Sequence, residues 1–136
     1  IAFKIYDPSY ISLEWALHYY GLIPEVIYNI TSISTKATRK FKNGFGIFIY
    51  RNIKKELFWG YKKEEKEKNV YLIAEPEKAL LDYIYFNLSK IKKDADIEEL
   101  RLNTLLVKQL DLKKLREYVK IFKNNKIEEI IEKIIK

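Results

Sequence analysis

A chain of 136 residues is sized for one domain with a hydrophobic core, and 48% hydrophobic with 33% charged residues is the balance of a soluble globular protein. No apolar run approaches the roughly 18 residues that span a bilayer, and the absence of cysteine excludes disulfides, thiolate metal sites and a cysteine nucleophile. The formal net charge of +7 is unevenly spread: no acidic residue falls between Glu25 and Glu56, while Lys36, Arg39, Lys40, Lys42, Arg51, Lys54 and Lys55 do.

Residues 1 to 6 alternate loosely and predict a short strand, which Asp7-Pro8-Ser9 breaks. Ser12 is placed to cap a short helix with Leu13, Ala16, Leu17 and Tyr20 on one face, and Gly21 supplies its left-handed end. The β-branched residues between Val26 and Ile33 predict a strand. Within Thr35 to Tyr50, Asn43-Gly44 separates two strand-forming runs, which predicts a hairpin with a type I′ turn, since both central residues of such a turn need positive φ. A second hairpin follows. Glu56 to Tyr61 and Val70 to Ala74 are strand-like, and the charged run of residues 62 to 68 between them reads as an exposed loop.

At Glu75-Pro76 the pattern turns helical, with proline suited to the first turn and glutamate to its positive end. From Ala79 to Leu88 this helix is apolar almost all round, leaving Lys78, Asp82 and Ser89 as a narrow polar stripe, so it is expected to be the central buried helix. Asp96 with Glu99 forms a capping pair for the next helix. Asp111 caps another that presents Leu112, Leu115, Val119 and Phe122. Asn124-Asn125 ends it, and Ile127, Ile130, Ile131, Ile134 and Ile135 mark a final amphipathic helix. The expected architecture is a single α+β domain over residues 1–136. Antiparallel strands and hairpins with one short helix occupy 1–74, and the helical residues 75–136 pack on the sheet.

The residue inventory argues against common catalysis, and neither a cofactor nor a metal is expected. His18 is the sole histidine, which excludes multi-histidine metal sites, and it reads as an exposed or interface side chain. Glycine-rich phosphate loops are absent. A metal-dependent nuclease would have to use Glu64-Glu65-Lys66 with Glu56 upstream, on an apparent loop tip that holds a metal poorly. Glu75, Glu77 and Asp82 are accounted for by helix capping and an i,i+4 pair of Lys78 with Asp82. The run from Gly44 to Tyr50 resembles the aromatic strand of RNA-recognition motifs, with Phe45, Phe48 and Tyr50 as stacking rings, but Asn43 and Ile47 replace its basic and central aromatic residues. The acid-free stretch admits two readings, a solvated face or a surface for phosphates or an acidic partner.

Several collinear blocks carry a resemblance over nearly the whole chain. They are Pro8-Ser9-Tyr10-Ile11-Ser12-Leu13-Glu14-Trp15-Ala16-Leu17, then Tyr20-Gly21-Leu22-Ile23-Pro24-Glu25, and Ile30-Thr31-Ser32 with Lys36, Thr38 and Arg39. Phe45-Gly46, Phe48, Tyr50-Arg51 and Ile53 follow, then Leu57-Phe58-Trp59-Gly60-Tyr61 and Ala74-Glu75-Pro76-Glu77-Lys78-Ala79-Leu80-Leu81-Asp82, with Glu99-Leu100-Arg101 and Asn103 beyond. Together these blocks resemble the C-terminal domain of the AbiEi family of antitoxins and transcriptional regulators, departing from it at Trp15, His18 and Asn43-Gly44. The resemblance implies a non-enzymatic domain from a phage-defence toxin–antitoxin system of type IV, and the lack of cysteine and of a signal-peptide pattern in the opening residues makes the cytoplasm the expected location. Members commonly pair such a domain with an N-terminal winged helix that binds operator DNA, and the C-terminal domain is needed to counter a nucleotidyltransferase-like toxin. The implied partners are that toxin or its target, or DNA or RNA, and no membrane. The basic residues Lys36, Arg39, Lys40, Lys42, Arg51, Lys54 and Lys55 are the expected contact surface.

Overall fold

The structure is a computed structural model that describes residues 7–44, 46–66 and 69–136. The strand predicted for residues 1 to 6 lies outside them. After Asp7-Pro8 the chain extends into a short strand, β1 (Ser9–Ile11), and turns at once into helix α1 (Leu13–Tyr19). The apolar spacing of α1 is realised, with Leu13, Ala16 and Leu17 buried and Gly21 at φ 75° just beyond the helix end. Strands β2 (Ile30–Ser34), β3 (Arg39–Asn43) and β4 (Gly46–Asn52) follow, then β5 (Tyr61–Lys66) and β6 (Asn69–Ala74).

These strands make one sheet in the order β3-β4-β2-β1-β6-β5, so the fold is α+β as expected. The pairings β1–β2, β3–β4 and β5–β6 are antiparallel, but β2–β4 and β1–β6 run parallel. The sheet is therefore mixed. The cause is topological: β3 turns back on the outside, which returns β4 alongside β2 in the same direction.

Two turn expectations need correction. Asn43 pairs with Gly46, so it belongs to the β3–β4 ladder and is not a central residue of an Asn43-Gly44 turn. Positive φ falls on Gly46 (136°), not on Asn43 or Gly44, and Phe45 lies outside the described residues. The charged run is likewise not a loop. Lys62, Lys63, Glu64 and Glu65, in β5, pair with Ile73, Leu72, Tyr71 and Val70, and among the described residues β5 is an end strand of the sheet. Alternating hydrophobicity is missing there because an edge strand can face water along its length, and charge on it deters edge-to-edge pairing.

The helical half begins with α2 (Pro76–Asn87), followed by α3 (Asp94–Glu98), α4 (Thr104–Lys108), α5 (Leu112–Phe122) and α6 (Asn125–Ile135). Asp111 caps α5 as expected, accepting the Lys114 N–H at 3.1 Å. Asn103 and Asn124 do the same for α4 and α6. Asp96 does not open its helix. It lies inside the first turn, and its carboxylate accepts the N–H groups of Lys92 and Lys93. Lys123, at φ 50°, separates α5 from α6, whose Ile127, Ile130, Ile131 and Ile134 are buried in the same core as Leu115, Val119 and Phe122. Helix α2 packs against both of them and against α1.

Candidate functional site

The polar stripe of α2 is where the structure departs most from the sequence reading. Lys78 and Asp82 are fully buried, with 0% of either side chain exposed. They form an ion pair at 2.7 Å. The Lys78 ammonium also donates to the Tyr10 hydroxyl and the Leu57 carbonyl, both at 2.8 Å, so its three protons are all used. The second carboxylate oxygen of Asp82 accepts from the Tyr10 and Ser12 hydroxyls at 2.8 and 2.9 Å. Rings of Trp59, Tyr10 and Phe122 surround the ammonium at 4.7, 5.2 and 5.5 Å. Burial pulls the Lys78 pKa down and pushes that of Asp82 up, each opposed by the partner's charge.

Ser12 is free to join this cluster because it does not cap its own helix. The N–H of Trp15, the natural target of an N-cap side chain at Ser12, is taken by the Thr31 hydroxyl at 3.1 Å. That hydroxyl in turn donates to the Ser12 carbonyl at 2.6 Å. Three blocks of the sequence, around Tyr10-Ser12, Leu57-Trp59 and Lys78-Asp82, thus meet at one buried point. All its polar groups are satisfied internally, so the cluster is a structural lock and offers no vacant group to a ligand.

A second cluster is half-buried at the start of α2. Glu75 accepts hydrogen bonds from Lys114 and from the Tyr118 hydroxyl, the latter at 2.6 Å, while Glu77 lies 3.7 Å from the same lysine. Burial pushes the Glu75 carboxyl up, yet the hydrogen bonds from Lys114 and Tyr118 outweigh it and hold the group below the ordinary carboxylate value. Tyr118 is pushed up to about 12, by burial and by its bond to Glu75. A depressed carboxylate stabilises the fold fully above its unfolded pKa of about 4.3, and that contribution disappears as pH falls through the lower folded value. Thermal unfolding below about pH 4 should therefore lose stability more steeply in the parent protein than in Glu75→Gln. Parallel curves would show that the carboxylate adds nothing.

The seven basic residues of the acid-free stretch do not form one face. Paired residues share a side of the sheet, so Lys40, Lys42 and Arg51 lie on the side of Ile47 and Ile49, and Arg39 lies opposite with Phe41 and Tyr50. Helix α2 covers the first side, as the contacts of Tyr10 with Lys78 and Asp82 require. Arg51 leans on it, its guanidinium 4.7 Å from the Phe86 ring, and Arg39 sits over Phe41 at 4.9 Å. Lys36 belongs to the turn before β3, which Asn52 fastens through the carbonyls of Thr35 and Lys36. Lys54 and Lys55 follow β4 at a short 3-10 turn. All seven are exposed. Among the described residues Arg39, Lys40, Lys42, Arg51, Lys54 and Lys55 enter no ion pair. The rest of the chain holds equal numbers of acidic and basic residues, so the whole net charge of +7 belongs to this stretch.

The alternative sites fare worse. Phe48 and Tyr50 are 2% and 1% exposed, which removes two of the three rings proposed to stack on bases, and Phe45 lies outside the described residues. Glu64 and Glu65 are neighbours on a strand and so face opposite sides of the sheet, while Glu56 sits in the 3-10 turn before it. Glu64 is paired with Lys62 at 3.2 Å, and among the described residues no three histidine, aspartate or glutamate side chains converge to hold a metal. No helix among them is long and apolar enough to cross a membrane.

No protein-family model, curated protein or solved structure gives a significant match to the chain. The site reading therefore rests on the residues themselves. The partnership of Tyr10 and Ser12 with Asp82 was missed in the sequence, although one signal pointed to it. A Lys and an Asp four apart, beside a run that is apolar almost all round, must be either exposed on a stripe or buried as a pair.

Proposed function

We propose that the chain is a non-enzymatic binding domain of the antitoxin and transcriptional-regulator type, working in the cytoplasm, which engages an anionic macromolecular partner through the β3–β4 hairpin. The partner would be a nucleotidyltransferase-like toxin or its target, or a nucleic acid. One observation carries this reading: the entire net charge resides in a single acid-free stretch, and its exposed Arg39, Lys40, Lys42, Arg51, Lys54 and Lys55 enter no ion pair among the described residues. Charge left uncompensated in this way costs self-repulsion and speeds encounter with anionic surfaces. The resemblance of the motif blocks to the AbiEi family supports the same reading, and the closed hydrogen bonding of the buried cluster supports a structural role for those motifs.

Lys40 and Lys42 are the residues to alter, because Arg51 is engaged with Phe86 and its loss would mix packing with charge. The double variant Lys40→Glu with Lys42→Glu should bind the cognate toxin or nucleic acid at least about tenfold more weakly at low salt, with thermal stability almost unchanged. Undiminished binding to both would reject the hairpin as the contact surface.

A further inference from the structure

The hairpin that carries the uncompensated cations also ends the sheet, and among the described residues no strand lies beyond β3. A two-residue connection makes Asn43 and Gly46 the hydrogen-bonded pair that closes the hairpin, and bonded and non-bonded pairs alternate from there. Phe41 and Arg39 thus exchange main-chain bonds with Phe48 and Tyr50. Lys40 and Lys42, opposite Ile49 and Ile47, turn their N–H and C=O groups away from β4. Their side chains are exposed and lie on the same side of the sheet. The outer edge therefore presents two sets of main-chain donors and acceptors, two residues apart along the strand and each flanked by an ammonium group.

Such an edge is closed to a second copy of itself, since antiparallel β3–β3 pairing would set cation against cation. It suits a strand of opposite charge. Nucleic acid can use the side chains but not the regular alternation of N–H and C=O, and the nearby rings of Phe48 and Tyr50 are buried away from bases. We infer that β3 accepts an extended acidic polypeptide as an added strand, bonded through the main chain of Lys40 and Lys42 and selected by carboxylates at alternate positions facing those two side chains. The intervening residues of the guest face the side of Arg39 and Phe41. This rests on the reading of the hairpin as the contact surface, and it identifies the partner as protein.

The test titrates the intact chain, by fluorescence anisotropy, with a labelled peptide of alternating glutamate and valine. Two companion peptides are N-methylated on alternate residues, one in each register, and a DNA duplex serves as the nucleic-acid probe. The parent peptide should bind, binding should be lost on Lys40→Glu with Lys42→Glu, and at least one N-methylated peptide should bind about tenfold more weakly through loss of main-chain donors. Equal binding of all three peptides, or binding of none, overturns strand addition. In that event duplex binding that vanishes on Lys40→Glu with Lys42→Glu preserves the basic hairpin as a contact surface, and binding of no probe removes both.

Discussion

Truncation of Lys78 to alanine should cost about 3–5 kcal/mol, a large share of the roughly 5–15 kcal/mol by which a domain of this kind is folded. The variant leaves Asp82 in the core with no cation beside it, and it removes the bonds to Tyr10 and to the Leu57 carbonyl. Asp82 cannot recover its lost partner from water, because its side chain is 0% exposed. The attraction within the pair is not itself the source of this large effect. A buried pair gives back much of its Coulombic gain as desolvation, so the variant Lys78→Met, Asp82→Leu, Tyr10→Phe, Ser12→Ala, which also removes the hydroxyl that Ser12 donates to Asp82, should fold with most of the parent stability. Urea denaturation of both variants checks the point. A loss below about 1 kcal/mol in Lys78→Ala would mean that water reaches the cluster.

Gly60→Ala should be the next most damaging change, on the order of 3 kcal/mol. Gly60 has φ 79°, a conformation that a side chain makes costly. A Cβ there would also lie 2.7 Å from Lys78 Cγ and 3.0 Å from Lys78 Cβ. The lysine stem cannot retreat, since its ammonium is held by three partners and its Cβ is fixed to α2. Gly44→Ala is the control, because a Cβ at Gly44 meets nothing within 4 Å and its φ is not positive. Comparable thermal midpoints for the two variants would refute the close approach of Gly60 to Lys78.

Local chemistry was readable wherever the deciding interaction is short-range. Pro76 opens α2, Asp111 caps α5, and the isoleucine spacing of α6 fixes its buried face, because each depends on residues within one or two turns. The sheet was not readable in the same way. Placing β4 beside β2 and β6 beside β1 in parallel depends on pairings between distant segments, which leave no periodic trace in either strand. The charged strand β5 was hidden because its identity comes from pairing with β6 rather than from its own side chains. The candidate surface was legible as composition, seven cations without an acid, but not as geometry. Alternation across the pleat sends Arg39 one way and Lys40 and Lys42 the other, while Arg51 is drawn onto Phe86. The buried cluster was legible only as an i,i+4 pair, since Tyr10 and Ser12 reach Asp82 from about 70 residues away along the chain.

The Thr31 hydroxyl that serves α1 in place of Ser12 ties the fate of that helix to a strand from another part of the chain. A helix of seven residues is too short to persist alone in water, and this one lacks a cap of its own. Its order is therefore acquired only when β2 is in place, and Ser12 reaches Asp82 only when α2 has docked as well. Helices α5 and α6, joined by a short connection and capped by their own neighbours, carry no such dependence. The chain is thus divided between a C-terminal part that can organise through near-neighbour contacts and an N-terminal part that must close long loops before its first helix is secure.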